Sequence, residues 1–143
     1  MKSTRMLLMA AIFAIATASG ISPLQAQTSS RVAGAYTAAQ AAAGAKTYAA
    51  RCSACHGANL RGVNAPALVG NAFTSQWTNE PASDVYTMMT SNMPLDAPGS
   101  LKPAEYLAIL AYILQQNKYP AGSTPLTQAN LKSIKIVSPA AGS

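Results

Sequence analysis

Two stretches of the chain carry apolar residues at the three- and four-residue spacing of an amphipathic helix. The clearer one begins at Pro103, since proline is favoured at the first helical position, and ends near Asn117. Its apolar positions are Tyr106, Leu107, Leu110, Ile113 and Leu114. A shorter pattern predicts a second helix over 83–90, with Asp84 at its positive end.

A third helix is predicted over 38–51, where alanine gives high helix propensity rather than a clear apolar stripe. Thr37 followed by Gln40 has the spacing of a capping box, which sets its start. Gly44 within it costs about 1 kcal/mol relative to alanine, which suggests that another helix approaches closely there. Residues 73–77 predict a short helical turn.

The remaining sequence indicates loops rather than a sheet. Glycine and proline punctuate 57–71, and 119–143 is rich in Pro, Ser and Gly. The short alternation at 134–137 indicates a strand or an extended strap. We therefore expect an all-α fold of three to five short helices joined by long loops.

The first 26 residues have the pattern of a secretory signal peptide. Lys2 and Arg5 precede an apolar run over 6–18, which is shorter than the roughly 20 residues that span a bilayer. Cleavage after Ala18 or after Ala26 fits the small residues there, and Ala26 is favoured because helix breakers lie just upstream. The alternative is an uncleaved membrane anchor. No other segment predicts a membrane span, so we expect an exported, periplasmic protein.

Composition limits the core and the kinds of partner. The 143 residues fit one domain, and 50% are hydrophobic, but many of these are alanine and only nine are aromatic. Such a chain builds a thin core of large side chains, which suggests that another group fills the interior. Without Lys2 and Arg5, eight basic and four acidic residues give a net charge of +4. This is not the dense basic stripe of a nucleic-acid-binding protein.

Cys52-Ser53-Ala54-Cys55-His56 contains every Cys and His of the chain. Its spacing places two thiols one helical turn apart, where both can bond to one haem, with His56 as an axial ligand of the iron. A thioredoxin-like dithiol would need a βαβ context, and a zinc site would need further ligands. A disulfide across two residues would be strained. The motif therefore predicts one covalent haem c, which would also supply the missing buried surface.

The ligand on the other face of the iron decides the chemistry. The single histidine excludes a second imidazole, so methionine, lysine, water or an open site remain. Outside the signal, the methionines are Met88, Met89 and Met93. We favour Met93, because Pro94 holds the preceding residue extended in a loop, whereas the other two fall on an apolar helix face. Ligation by His56 and Met93 would raise the reduction potential and suit transfer of single electrons.

Residues 37–119 resemble class I cytochromes c. Beyond the haem motif, the resemblance rests on Gly44-Ala45-Lys46-Thr47-Tyr48 in the first helix and Leu110-Ala111-Tyr112-Ile113-Leu114 in the last. It implies a cytochrome c-like fold around one covalent haem, in which Gly44 lies where the first and last helices cross. In this family a proline carbonyl accepts a hydrogen bond from the axial histidine, and Pro66 matches that proline.

A narrower resemblance links residues 92–101 and the tail from Tyr119 to cytochromes c that accompany bacterial quinoprotein (pyrroloquinoline quinone) dehydrogenases. Because ligands on both faces of the iron leave no room for a substrate, we expect a monomeric electron carrier without catalytic activity of its own. Its donor would be a quinoprotein or other dehydrogenase or a respiratory complex, and its acceptor a terminal oxidase or peroxidase. Basic residues would surround the haem edge and attract an acidic partner, or simply solvate the surface. These are Lys46, Arg51, Arg61, Lys102 and Lys118.

Two other functions stay open at this point. The chain could be a permanent electron-transfer subunit of a dehydrogenase, tethered by the C-terminal extension 120–143. It could also be a five-coordinate haem sensor or peroxidase, although a peroxidase would need a distal acid–base residue, usually histidine. The expected organisation is a signal peptide over 1–26, a flexible lead over 27–36, a cytochrome c domain over 37–119, and the extension.

Overall fold

The computed structural model describes residues 30–31 and 34–138, so the expected signal peptide lies outside the described residues. Helices dominate this part of the chain, and the prediction of an all-α fold is confirmed. The α-helices are α1 (Ala38–Arg51), α2 (Ser53–His56), α3 (Asn71–Trp77), α4 (Ala82–Asn92) and α5 (Pro103–Gln116). A 3-10 turn follows at Leu131–Ser133, and two short strands are β1 (Ser30–Arg31) and β2 (Ile134–Lys135).

The start of α1 shows a cap, but only half of the predicted capping box. The Thr37 hydroxyl accepts a hydrogen bond from the Gln40 backbone N–H at 3.1 Å, as expected of an N-cap. The Gln40 side chain does not return to Thr37. Instead its amide donates to the carbonyl of Leu126 and accepts from the Leu126 N–H, both at 2.9 Å. A residue predicted to act locally therefore joins α1 to the C-terminal segment.

The core centres on the crossing of α1 and α5. Gly44 and Ala41 of α1 are buried, as are eight residues of α5, including the fully buried Leu110 and Leu114. At the crossing a Cβ on Gly44 would overlap the carbonyl of Ala108, so only glycine permits this approach. The close approach predicted from Gly44 is confirmed.

Segments on both sides of the predicted domain belong to the same packed unit. The Tyr36 hydroxyl donates to the carbonyl of Tyr119, and the Gly122 N–H donates to the carbonyl of Tyr36 at 2.7 Å. Strand β1 pairs in parallel with β2, with Ser30 opposite Ile134. Buried apolar residues of the C-terminal segment complete the core, namely Leu126, Leu131, Ile134 and Ile136.

The segments expected on either side of 37–119 contribute to its core. Within the lead expected over 27–36, Ala35 and Tyr36 are buried, and the extension expected over 120–143 packs onto the helices as far as Ile136. Its apolar residues, including the alternating Ile134 and Ile136, pack against distant elements of the chain. Of the helices described, none is long and apolar enough to cross a bilayer.

Candidate functional site

The two cysteines lie on the single helical turn α2 that directly follows α1. Cys52 is the N-cap of this turn, and Cys55 lies within it. The Cys52 N–H still donates to the carbonyl of Tyr48 at 2.9 Å, and the Cys52 carbonyl accepts from the N–H groups of Cys55 and His56 at 3.2 and 2.9 Å. These bonds form one tight helical turn, which places both thiols at the short helix α2. Both cysteines are free thiols, with Cys52 half-buried and Cys55 exposed.

The environment of Cys52 does not favour a redox-active dithiol. Burial raises the pKa of the Cys52 thiol to about 11, against the lowering effect of the neighbouring Arg51 cation. Reactive cysteines work as thiolates and have a lowered pKa. A thioredoxin-like dithiol therefore lacks both the lowered thiol pKa and the βαβ context that it would need.

His56 is held in a defined tautomer by the chain around it. Its side chain is 9% exposed, and its Nδ1 lies 2.8 Å from the carbonyl oxygen of Pro66. Because a carbonyl only accepts, Nδ1 carries the proton and donates it to this bond. The lone pair is then on Nε2, which is the atom available to a metal. The structure thus brings together His56 and Pro66, as the family resemblance implied.

A loop over 57–70 folds back onto α2 and fixes it. The carbonyl of Cys55 accepts from three successive N–H groups, those of Val63, Asn64 and Ala65, at 3.0 to 3.1 Å. Gly57 ends α2 at φ +79°, a left-handed conformation that favours glycine. Its carbonyl accepts from the buried Tyr48 hydroxyl at 2.7 Å. Hydrogen bonds from α1 and from the loop therefore hold both ends of the cysteine and histidine motif.

The far end of the same loop is tied to α5 by Asn117. The Asn117 side-chain carbonyl accepts from the Gly70 N–H, and its amide donates to the carbonyls of Leu68 and Ile113, all at 2.9 Å. Asn117 is 5% exposed, so these bonds satisfy a polar side chain in the core. The loop that carries Pro66 is thereby braced against the last helix.

Met93 lies on a different loop, directly after α4. Its backbone is extended, at φ −126° and ψ 153°, as expected of a residue before proline, and the Met93–Pro94 peptide bond is cis. The Met93 side chain is half-buried, whereas Met89 is buried in the core and Met88 packs against it. The structure therefore separates Met93 from the other two methionines in the way that the sequence predicts.

The donor set fits a haem c better than an ion bound by protein alone. In the part of the chain with described side chains, no group of three or more His, Cys, Asp and Glu is placed to hold a metal. Cys52 and Cys55 stand unbridged on one turn, beside an imidazole whose Nε2 is available. Two thioether bonds and one axial nitrogen are what these residues can offer. They match a macrocycle that brings its own equatorial ligands.

Sequence reasoning did not identify three residues that position this site. Tyr48 and Asn117 hold the loop around His56, and the Tyr106 hydroxyl donates to the carbonyl of Met93 at 2.6 Å. The sequence presents Tyr106 only as an apolar position of a helical pattern, and Tyr48 only as part of the resemblance of the first helix to the family. The sequence could have indicated their roles in one way: a tyrosine hydroxyl or an asparagine amide that is buried needs a hydrogen-bond partner.

Comparisons with known proteins agree with this site. The family model described as "Cytochrome C oxidase, cbb3-type, subunit III" matches residues 39–113, which include the whole cysteine and histidine motif. No curated protein matches the chain in sequence. The fold is similar to that of a chain in the crystal structure of the sulfane dehydrogenase SoxCD from Paracoccus pantotrophus. That likeness has a TM-score of 0.53 at 24% identity and covers 67% of this chain. This chain spans about half of that one, at 52%.

Proposed function

Since the chain belongs to the family of cytochrome c oxidase, cbb3-type, subunit III, and is a class I c-type cytochrome, we propose that it carries single electrons in the periplasm. As a cytochrome c domain it holds covalent haem c and serves electron transfer rather than catalysis. The observation that carries the proposal is the His56 Nδ1 bond to Pro66. It leaves the lone pair of Nε2 available to a metal, next in the chain to the two free thiols.

Each residue of the site has a distinct part in this proposal. Bound to Cys52 and Cys55, haem c supplies a reversible one-electron couple. His56 would hold the iron through Nε2, and its bond to Pro66 fixes the ring and raises the basicity of that nitrogen. Met93 would supply a neutral thioether, which favours the reduced state and raises the potential. With both residues as ligands, the iron would have no free position for a small molecule.

Exposed side chains close to these residues in the chain would form a docking face. Among the side chains described, the large apolar ones that stay exposed are Val63, at 71%, and Leu95, at 78%. The Val63 N–H donates to the carbonyl of Cys55, and Leu95 follows Met93 by two residues. The exposed Arg51 precedes the haem motif directly. Apolar contacts with a nearby cation suit brief docking of an acidic redox partner.

Spectra of methionine variants test the ligand assignment. The ferric wild-type holoprotein should show the far-red methionine–ferric band, and Met93→Ala should lose it. Met88→Ala is the matched control, because Met88 is also half-buried but lies on the regular helix α4, and it should keep the band. Persistence of the band in Met93→Ala would show that another residue is the ligand.

A second candidate is a permanent electron-transfer subunit of a dehydrogenase. It is favoured by the fold likeness to a chain of SoxCD, which is named a sulfane dehydrogenase. The tether expected at 120–143 does not support it, because the described part of this segment packs onto its own domain as far as Ile136. Size-exclusion chromatography of the natively expressed protein separates the two. A monomer that reduces several acceptors is a free carrier, and co-elution with a large enzyme indicates a subunit.

A further inference from the structure

Both backbone polar groups of Met93 are bonded to neighbouring helices. Its N–H donates to the carbonyl of Met89 in α4 at 2.9 Å. Its carbonyl accepts from the Tyr106 hydroxyl of α5 at 2.6 Å and, at 3.3 Å, from the N–H of Gly99 later in its own loop. The carbonyl is therefore the point where the loop is tied to the last helix.

Tyr106 is well placed to act as a rigid support. It is 2% exposed in the first turn of α5, and its ring packs edge-on against that of Tyr86, with centroids 6.3 Å apart. A phenol has few rotatable bonds, so holding it in place costs little conformational entropy. Helix α5 is in turn packed against α1, which leads directly into the cysteine motif. The hydroxyl thus links the Met93 backbone to the helix whose end, at Asn117, also holds the loop that carries Pro66.

We infer that Tyr106 is a positioning residue that holds the Met93 backbone in place and so keeps the Met93 thioether engaged as a ligand. The inference rests on the proposed role of Met93. It follows because a thioether can leave the metal in two ways, by rotation of its side chain or by movement of the loop. The Tyr106 hydroxyl resists only the second, since it holds the main chain and not the sulfur. Loss of this bond would leave a mostly buried carbonyl with its longer contact to Gly99.

Competition by added imidazole measures this hold directly. Imidazole binds the ferric holoprotein only when the thioether has left, so its apparent affinity reports how readily Met93 is released. Tyr106→Phe keeps the ring and removes the hydroxyl. We expect it to bind imidazole about tenfold more tightly than the wild type, the size of one buried hydrogen bond.

The matched control is Tyr112→Phe, which removes a hydroxyl from the same helix at a ring that packs against Tyr48 instead. It should leave imidazole affinity unchanged. If Tyr106→Phe and Tyr112→Phe bound imidazole with equal affinity, the inference would be overturned. This holds even if Tyr106→Phe lowers the melting temperature, because the hydroxyl would then contribute only to stability. Met93→Ala separates this failure from that of the proposed function. If it keeps the far-red band, Met93 is not the ligand and the inference falls with it.

Discussion

Replacing Gly44 by alanine should destabilise the protein, although alanine is the better helix former. In an isolated helix this change stabilises by about 1 kcal/mol. Here the new Cβ would overlap the carbonyl of Ala108 and lie 2.9 Å from the backbone nitrogen of Ile109, about 0.5 Å inside ordinary contact. The obstacles are backbone atoms of α5, so no side chain can rotate away to make room.

The helices must therefore separate, and the cost follows from what lies between them. The residues at this crossing include Ala41, Tyr48 and Leu110, each at most 1% exposed. A gap of 0.5–1 Å forfeits about a quarter to a half of the dispersion energy of the contacts it opens. Overpacking of a core typically costs ~1–3 kcal/mol and occasionally more, and the overlap with rigid backbone places this site at about 4 kcal/mol. Less the ~1 kcal/mol that alanine gains in helix propensity, we expect a net loss of about 3 kcal/mol.

Thermal unfolding of the holoprotein, followed by far-ultraviolet circular dichroism, measures this loss. For a domain of this size, 3 kcal/mol corresponds to a melting temperature lowered by about 15 °C. The control is Ala43→Gly, at an exposed position of the same helix, which should cost only about 1 kcal/mol. If Gly44→Ala melted at or above the wild-type temperature, the crossing would not be as close as the structure places it.

Three further variants test other contacts. Asn117→Ala removes three hydrogen bonds made by a buried side chain and should lower the free energy of unfolding by ~3 kcal/mol in denaturant titrations; a loss below ~1 kcal/mol would contradict this. Burial raises the pKa of Tyr48 from 10.0 to about 12, so the native state keeps a proton that the unfolded state loses. Stability should fall as the pH rises from 10 to 12, and Tyr48→Phe should flatten that fall in thermal melts. Gln40→Ala should speed hydrogen exchange at the Leu126 amide at least about tenfold, and unchanged exchange would refute its anchoring role.

The helices could be predicted because their signals are local. Thr37 and Pro103 mark the starts of α1 and α5, and the structure begins both helices at the predicted residues. The helix predicted over 83–90 is extended by one residue at its start and two at its end, where such signals are weaker. The haem-binding motif could be predicted for the same reason, because its cysteines and histidine lie within five consecutive residues and their spacing is that of one helical turn.

Contacts between distant segments could not be predicted in the same way. Gln40 has the spacing of a capping partner, and only the folded chain shows that Leu126 competes for its amide. In the C-terminal segment the alternation at 134–137 indicates a strand, but nothing local shows that Leu126 and Leu131 are buried against the helices. Tyr106 has the spacing of a core residue, and its bond to Met93 depends on how the loop between them closes. In each of these three cases the tertiary structure, and not the local sequence, determines which groups come into contact.

The central claim is that His56 and Met93 occupy both axial positions, so that the protein passes electrons and binds no small molecule at the metal. Exposure of the reduced holoprotein to carbon monoxide at neutral pH, followed by absorption spectroscopy, tests it most directly. The account predicts that the spectrum of the reduced wild-type protein stays unchanged, while that of Met93→Ala shifts. Ready binding of carbon monoxide by the wild type would contradict the claim and favour a five-coordinate sensor or peroxidase.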